Sequence, residues 1–137
     1  MNPTFPEPKM KLFTVEEANE MLPRVRVELE RLRRLYSFVA EQRESAKAAA
    51  TVSNLGGGMI GGTRYVQNLY EIGKITTEFH ELGIQLKDYE SGLIDFPSMY
   101  DGRVVLLCWK LGEPEQIEWY HEIEGGFQGR KPLEFDQ

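Results

Sequence analysis

The sequence predicts an α+β fold, a long antiparallel helical hairpin followed by a small three-stranded antiparallel sheet. Three observations carry this. Apolar residues recur at alternating spacings of three and four from Leu22 to Val39, and again from Tyr65 to Tyr89, the seam of helices packed at a shallow angle. A glycine-rich stretch from Gly56 to Gly62 separates the two runs. After Gly92 the period drops to two, the spacing of strands.

Thr14 opens the first helix. Glu17 stands three residues on, so hydroxyl and carboxylate can each satisfy a free backbone N–H of the first turn. Phe13 ahead of the cap is placed to staple onto Ala18. Pro23 lacks the N–H that the helix ladder needs, which predicts a kink or short break near Met21–Pro23. Leu22, Val25, Leu29, Leu32, Tyr36 and Val39 form the seam, and Ser53 and Asn54 end the helix. Thr63 is expected to cap the second helix, which runs to about Tyr89 with its seam at Tyr65, Asn68, Ile72, Ile75, Phe79, Leu82, Leu86 and Tyr89. Each helix should be about 40 Å long. Equal helices joined by one loop pack antiparallel.

Three strands follow. Leu93–Phe96 is stopped by Pro97, Arg103–Lys110 is almost wholly apolar, and Gln116–Glu122 alternates, with Ile117, Trp119 and His121 on one face. Tyr100-Asp101-Gly102 and Gly112-Glu113-Pro114 mark the turns. The helical hairpin is the cover for one sheet face. A chain of 137 residues makes one domain, placed at residues 11–133. Residues 1–10 form an extended tail and 134–137 a C-terminal one.

The bulk numbers exclude some functions. A net charge of −6 argues against nonspecific nucleic-acid binding, which demands a positive surface. No apolar run approaches the roughly 18 residues of a membrane helix. The first ten residues carry three prolines and no apolar core, unlike a signal peptide. One cysteine, Cys108, gives no disulfide framework and fits a reducing, cytoplasmic setting. Charge is uneven. Residues 24–47 hold seven basic and four acidic side chains (7 − 4 = +3), and residues 88–137 hold four and eleven (4 − 11 = −7). Such asymmetry can draw two copies together; an ordinary solvated helix face gives the same counts.

Two constellations raise chemistry. Gly56, Gly58 and Gly61 spell G-x-G-x-x-G, but a helix rather than a strand precedes them and Gly62 stands where a phosphate-loop Lys would be. They read as a mobile connection without a nucleotide role. The run from Gly92 to Arg130 concentrates polar groups among strand residues, and Asp95, His121, Glu122 and Arg130 are its ligand or metal candidates. Histidine is a common metal ligand and titrates near neutral pH. A metal would need further donors, which Asp95, or else Asp88, Glu90 or Glu124, could supply. Neighbouring strand residues face opposite ways, so His121 and Glu122 cannot both be ligands without a bulge. The structural alternative is a His121 partly buried beside Trp109 and Trp119 and bonded to one carboxylate. Arg130, after Gly125-Gly126-Phe127-Gln128-Gly129, could clamp Asp95, Glu122 or an anionic ligand. His80 reads as surface and Cys108 as core. No nucleophilic triad can be assembled.

Several stretches resemble a known family: FTVEEANEMLP (Phe13 to Pro23), the glycine-rich turn, KDYESGLIDFP (Lys87 to Pro97), LLCWKLGE (Leu106 to Glu113), WYHE (Trp119 to Glu122) and GFQGR (Gly126 to Arg130). They are similar to the uncharacterised bacterial family called domain of unknown function 2203, over about Lys11 to Leu133. The resemblance implies a small stand-alone cytoplasmic bacterial protein and brings no activity, cofactor or catalytic residue. Two functional expectations stand beside it. The first is a non-enzymatic interaction module that homodimerises through Val27, Leu35 and Phe38, apolar residues lying off the first helix's seam. The alternative is a ligand- or metal-binding protein or enzyme built on Asp95, His121, Glu122 and Arg130, with a divalent metal as candidate cofactor.

Overall fold

A computed structural model of the chain describes residues 10–52 and 62–134. Helix α1 (Val15–Val52) is followed by α2 (Gly62–Leu82) and five strands. The expected glycine connection, from Asn54 up to Gly61, and the expected terminal tails, apart from Met10 and Glu134, lie outside the described residues.

The cap of α1 is the one its sequence announces. Thr14 N donates to Glu17 Oε1 at 3.1 Å, and Glu17 N donates to Thr14 Oγ1 at 3.0 Å. Phe13 and Ala18, the two ends of the staple, are both buried. Pro23 does not break the helix, which runs through it to Val52. Proline's fixed φ is itself helical, so the helix can continue at the cost of one ladder bond and of the ring crowding the carbonyl four residues back. The two helices are unequal, with 38 and 21 residues, or about 57 and 32 Å. They run antiparallel: Gln42 and Phe38, late in α1, meet Asn68 and Arg64, early in α2, and Arg31 pairs with Glu71.

Helix α2 stops at Leu82, well short of Tyr89. Gly83 adopts φ +85° and donates to His80 O at 3.0 Å, while Ile84 N donates to Phe79 O at 2.9 Å. These paired bonds close the last turn around a left-handed glycine, and the buried Ile84 and Phe79 seal it. Leu86 and Tyr89, expected on the helical seam, belong instead to strand β1 (Gln85–Asp88) and the turn after it.

The sheet has five strands, not three. Strands β1, β2 (Leu93–Tyr100), β3 (Arg103–Lys110), β4 (Trp119–His121) and β5 (Lys131–Pro132) pair in sequence order, each antiparallel to its neighbours. Strand β2 continues through Pro97. Pro97 O accepts from Phe13 N at 2.7 Å, on the side away from β3 and beyond the end of β1. Nitrogen and carbonyl of a strand residue share a side, so the missing N–H falls where no ladder bond is required. Residues 116–118 stay outside β4 because Ile117 N donates to Asn19 Oδ1 of α1 at 2.6 Å, not to a strand.

Register separates two faces. Ile94 lies opposite Trp109, and Phe96 opposite Leu107 and then Tyr120. These residues form one buried cluster with Leu22, Val25, Leu29 and Leu32 of α1 and Ile75 and Phe79 of α2. One residue out of phase, Asp95 lies opposite Cys108 and then Trp119, and Pro97 opposite Leu106 and then His121. Leu106 and Cys108 are buried without belonging to that cluster. This second face points away from the helices.

Candidate functional site

The outer face is closed by the chain that follows β4. A single 3-10 turn, Phe127–Gly129, brings Arg130 back over the sheet. Its guanidinium stands 4.8 Å from the Trp119 ring centre and 4.5 Å from that of Phe127. It grips Glu113 with two bonds, at 3.1 and 2.6 Å. The loop packs on the strand at ordinary contact distance: a Cβ on Gly125 would stand 3.8 Å from His121 Cβ.

Under the loop sits a polar cluster. Asp95, Cys108 and His121 are each at most 2% exposed. His121 Nδ1 lies 2.7 Å from Glu122 O, and Nε2 lies 3.0 Å from Asp95 Oδ2. A carbonyl only accepts, so Nδ1 carries a proton and Nε2 is turned to the carboxyl. One further proton lies between Nε2 and Oδ2, donated either by the carboxyl or by an imidazolium. Burial pushes the Asp95 carboxyl above its ordinary value, and the charge and hydrogen bond of His121 pull the other way. Asp95 Oδ1 is fully buried without a well-aligned hydrogen-bond partner among the described residues, and the Cys108 thiol is the weak donor beside the carboxyl. Burial also pushes the Cys108 thiol up to about 12; the Asp95 charge adds to this and Arg130 opposes it. Arg130 Nη1 is 3.9 Å from Cys108 Sγ.

Chemically, three different donors converge: one carboxylate oxygen, one thiol sulfur and one imidazole nitrogen, all within 4.8 Å of one another. Such a set can hold a metal or share protons. A nucleophilic role for Cys108 is disfavoured by its raised pKa, since the thiolate is the reactive form.

Of the four residues singled out from the sequence, Asp95 and His121 meet. Glu122 contributes its backbone carbonyl alone; its carboxylate turns to Arg103, bonded through Nε at 3.0 Å and also through Nη2, with Lys131 at 3.9 Å. That pairing holds Glu122 below the usual carboxylate range, chiefly through the Arg103 hydrogen bond. Arg130 clamps neither Asp95 nor Glu122, but Glu113. His121 is buried with a carboxylate partner, as the structural alternative had it, but beside Trp119 alone, because Trp109 points to the inner face and donates to Pro114 O at 2.8 Å. Cys108, read as plain core, is the missed member. Its signal was available: with Asp101 and Gly102 as the two turn residues, both at positive φ, counting outward from Tyr100 and Arg103 sets Asp95 opposite Cys108.

The residues expected at an interface fare differently from one another. Val27 is 51% exposed, Phe38 is 36% exposed beneath the Arg64 guanidinium, and Leu35 packs against the chain's own core.

Together these features define an α+β protein in which a two-helix arm leaves a five-stranded antiparallel meander whose far face buries an Asp–Cys–His cluster. The chain belongs to the family of uncharacterized conserved proteins DUF2203, whose profile matches residues 11–133. No curated protein and no solved structure matches it. Among the described residues, no helix is long and apolar enough to cross a membrane.

Proposed function

We propose that the protein is a non-enzymatic interaction module that self-associates through the outer half of its helical arm. The observation that carries this is where burial stops. Along α1 the fully buried residues run from Ala18 to Val39, and along α2 they begin only at Ile72. Beyond those points, among the described residues, the two helices have only each other, with no sheet beneath. The apolar side chains there face solvent: Val66 is 63% exposed and Tyr70 70%, with Leu69 on the same face of α2, while Phe38 is exposed on another face, under Arg64. A groove of about 400 Å³ lined by Arg31, Arg34, Leu35, Phe38, Arg64 and Asn68 runs along the same arm.

Two helices cannot cover each other's apolar residues on all sides, whereas two such arms laid together make a four-helix bundle, a stable solution for helices of this length. The occupant is therefore a second copy of this chain. A bacterial, cytoplasmic setting belongs to the same reading and fits the single free thiol. Light scattering during size exclusion is expected to give twice the chain mass of 15.8 kDa. The pair Val66→Glu and Tyr70→Glu should return the monomer, because unpaired charges in an apolar interface are costly. A parent that elutes as a monomer throughout the micromolar range removes the reading.

A further inference from the structure

We propose that Asp95, Cys108 and His121 bind one divalent transition-metal ion of the zinc class, held against the outer face of the sheet beneath the Glu122–Arg130 loop. The site is independent of the arm and does not rest on self-association.

Donor chemistry is the first argument. One thiolate, one imidazole and one carboxylate form a mixed soft and borderline set that favours zinc-like ions over magnesium or calcium, which ask for oxygen alone. The spacing suits it: donors around a tetrahedral zinc stand about 3.3–3.6 Å apart. The three here lie within 4.8 Å of one another, with His121 Nε2 and Asp95 Oδ2 at 3.0 Å.

The tautomer is the second argument. A metal-binding histidine commonly donates its other ring N–H to a carbonyl or carboxylate, which fixes the ring and raises its basicity. The bond from His121 Nδ1 to Glu122 O, at 2.7 Å, does this and leaves Nε2 as the donor. The third argument is the poorly met carboxylate. Asp95 Oδ1 is buried without a well-aligned partner among the described residues, and beyond His121 its carboxyl meets only the weak thiol donor of Cys108; such buried polar atoms are rare and costly. A cation gives the carboxylate a counterpart.

Charge balance completes the case. A divalent ion with one thiolate, one carboxylate and a neutral imidazole sums to zero, so the filled site buries no net charge. Arg130, the cation nearest Cys108, is already neutralised by Glu113. Binding displaces the thiol proton and the proton shared by Asp95 and His121 to solvent. Affinity should therefore rise with pH.

The test is a titration of chelator-treated, reduced full-length protein with Co²⁺, followed by displacement with Zn²⁺. The expected result is one ion per chain and a sulfur-to-cobalt charge-transfer band that Zn²⁺ abolishes. Asp95→Asn is the informative variant. Its amide can donate to His121 Nε2 as a carboxyl does, so at a pH where the parent's carboxyl keeps its proton it should melt like the parent without metal. It should nevertheless bind Co²⁺ more weakly by more than the roughly 10–100-fold that loss of an outer-shell partner costs. Cys108→Ser should lose the charge-transfer band, and it carries the test alone if Asp95→Asn melts well below the parent. The absence of saturable binding by the parent overturns the proposal. So does a charge-transfer band that survives Cys108→Ser, or unchanged affinity in Asp95→Asn.

Discussion

On the inner face of the sheet, Ile94, Phe96, Leu107 and Trp109 meet the helices almost entirely through carbon. On the outer face, one residue out of phase along the same strands, Asp95, Cys108 and His121 are buried just as deeply under a single loop. The inner face is held by apolar contact with two helices, and apart from the Trp109 bond to Pro114 O these residues can be lost without removing a polar partner. Among the described residues the outer face is covered by the Glu122–Arg130 segment, and its polar atoms must find partners within a few ångströms. Stability should therefore reside in the inner face, and chemistry and pH sensitivity in the outer.

The largest effect comes from emptying the inner face. Trp109 is among the largest fully buried side chains, and Trp109→Ala should cost about 3–5 kcal/mol in urea unfolding. Leu107→Ala should cost more than Leu106→Ala, because Leu107 is clamped between sheet and helices while Leu106 lies under a loop that can settle into the gap. Equal losses for that leucine pair would mean that the two faces are packed alike.

On the outer face the expected losses are smaller and depend on what replaces each group. Asp95→Ala strips His121 Nε2 of its partner and should cost about 1–3 kcal/mol, whereas Asp95→Asn keeps a donor there. The pH dependence has a definite sign. Burial raises the folded-state pKa of Asp95 above its ordinary value, so the folded chain holds that proton more tightly than the unfolded one. Its contribution to stability is full below the ordinary aspartate range and is lost as pH rises through the raised folded value. Parent minus Asp95→Asn stability should fall across that window and then level off. A difference that climbs with pH would show a carboxylate favoured by folding, against the burial argument.

Arg130 and Glu113 come next. Their side chains are 11% and 20% exposed and joined by two bonds, and Arg130 also lies against Trp119 and Phe127. Arg130→Ala should destabilise by about 1–3 kcal/mol. A double-mutant cycle with Glu113→Ala should return a coupling of about 0.5–3 kcal/mol. Additive losses would show that the loop is held by the aromatic contacts and not by the ion pair.

What the sequence revealed follows the range of each signal. The capping box and the seam of α1 are local patterns, and they appear as read. The α+β class and the strand β3 were legible for the same reason. The end of α2 was obscured because Leu86 and Tyr89 happen to continue the helical spacing, although Gly83 followed by Ile84 carries a stop signal of its own. Strand β5 has two residues and no periodicity to read. Pro97 reads as a stop in the sequence because proline's cost depends on which side of the strand needs an N–H, and that is decided by a contact with Phe13 far away in sequence. For the site, composition drew attention to Asp95 and His121. The partners of Glu122 and Arg130 are set by long-range packing, which spacing does not record.

The smallest expected effect is at the pair next to the buried cluster in sequence yet opposite to it in environment. Glu122 follows His121 directly, but its carboxylate points to solvent, where Arg103 and Lys131 meet it. The two partners' side chains are 40% and 38% exposed, so water and salt screen the attraction, and such pairs contribute little. The sign of its pH dependence is the reverse of that for Asp95. The Arg103 hydrogen bond depresses the folded-state pKa of Glu122, so its contribution is present above the ordinary glutamate value and is lost as pH falls through the lower folded one. Glu122→Gln should shift the melting temperature less than any change above, and molar salt should erase what shift there is. The bond from His121 Nδ1 to the Glu122 backbone carbonyl is untouched by this substitution. The metal affinity and the Asp95 pH profile should accordingly survive it. If Glu122→Gln disturbs either one, the carboxylate reaches the cluster in solution, and the separation between the exposed ion pair and the buried site does not hold.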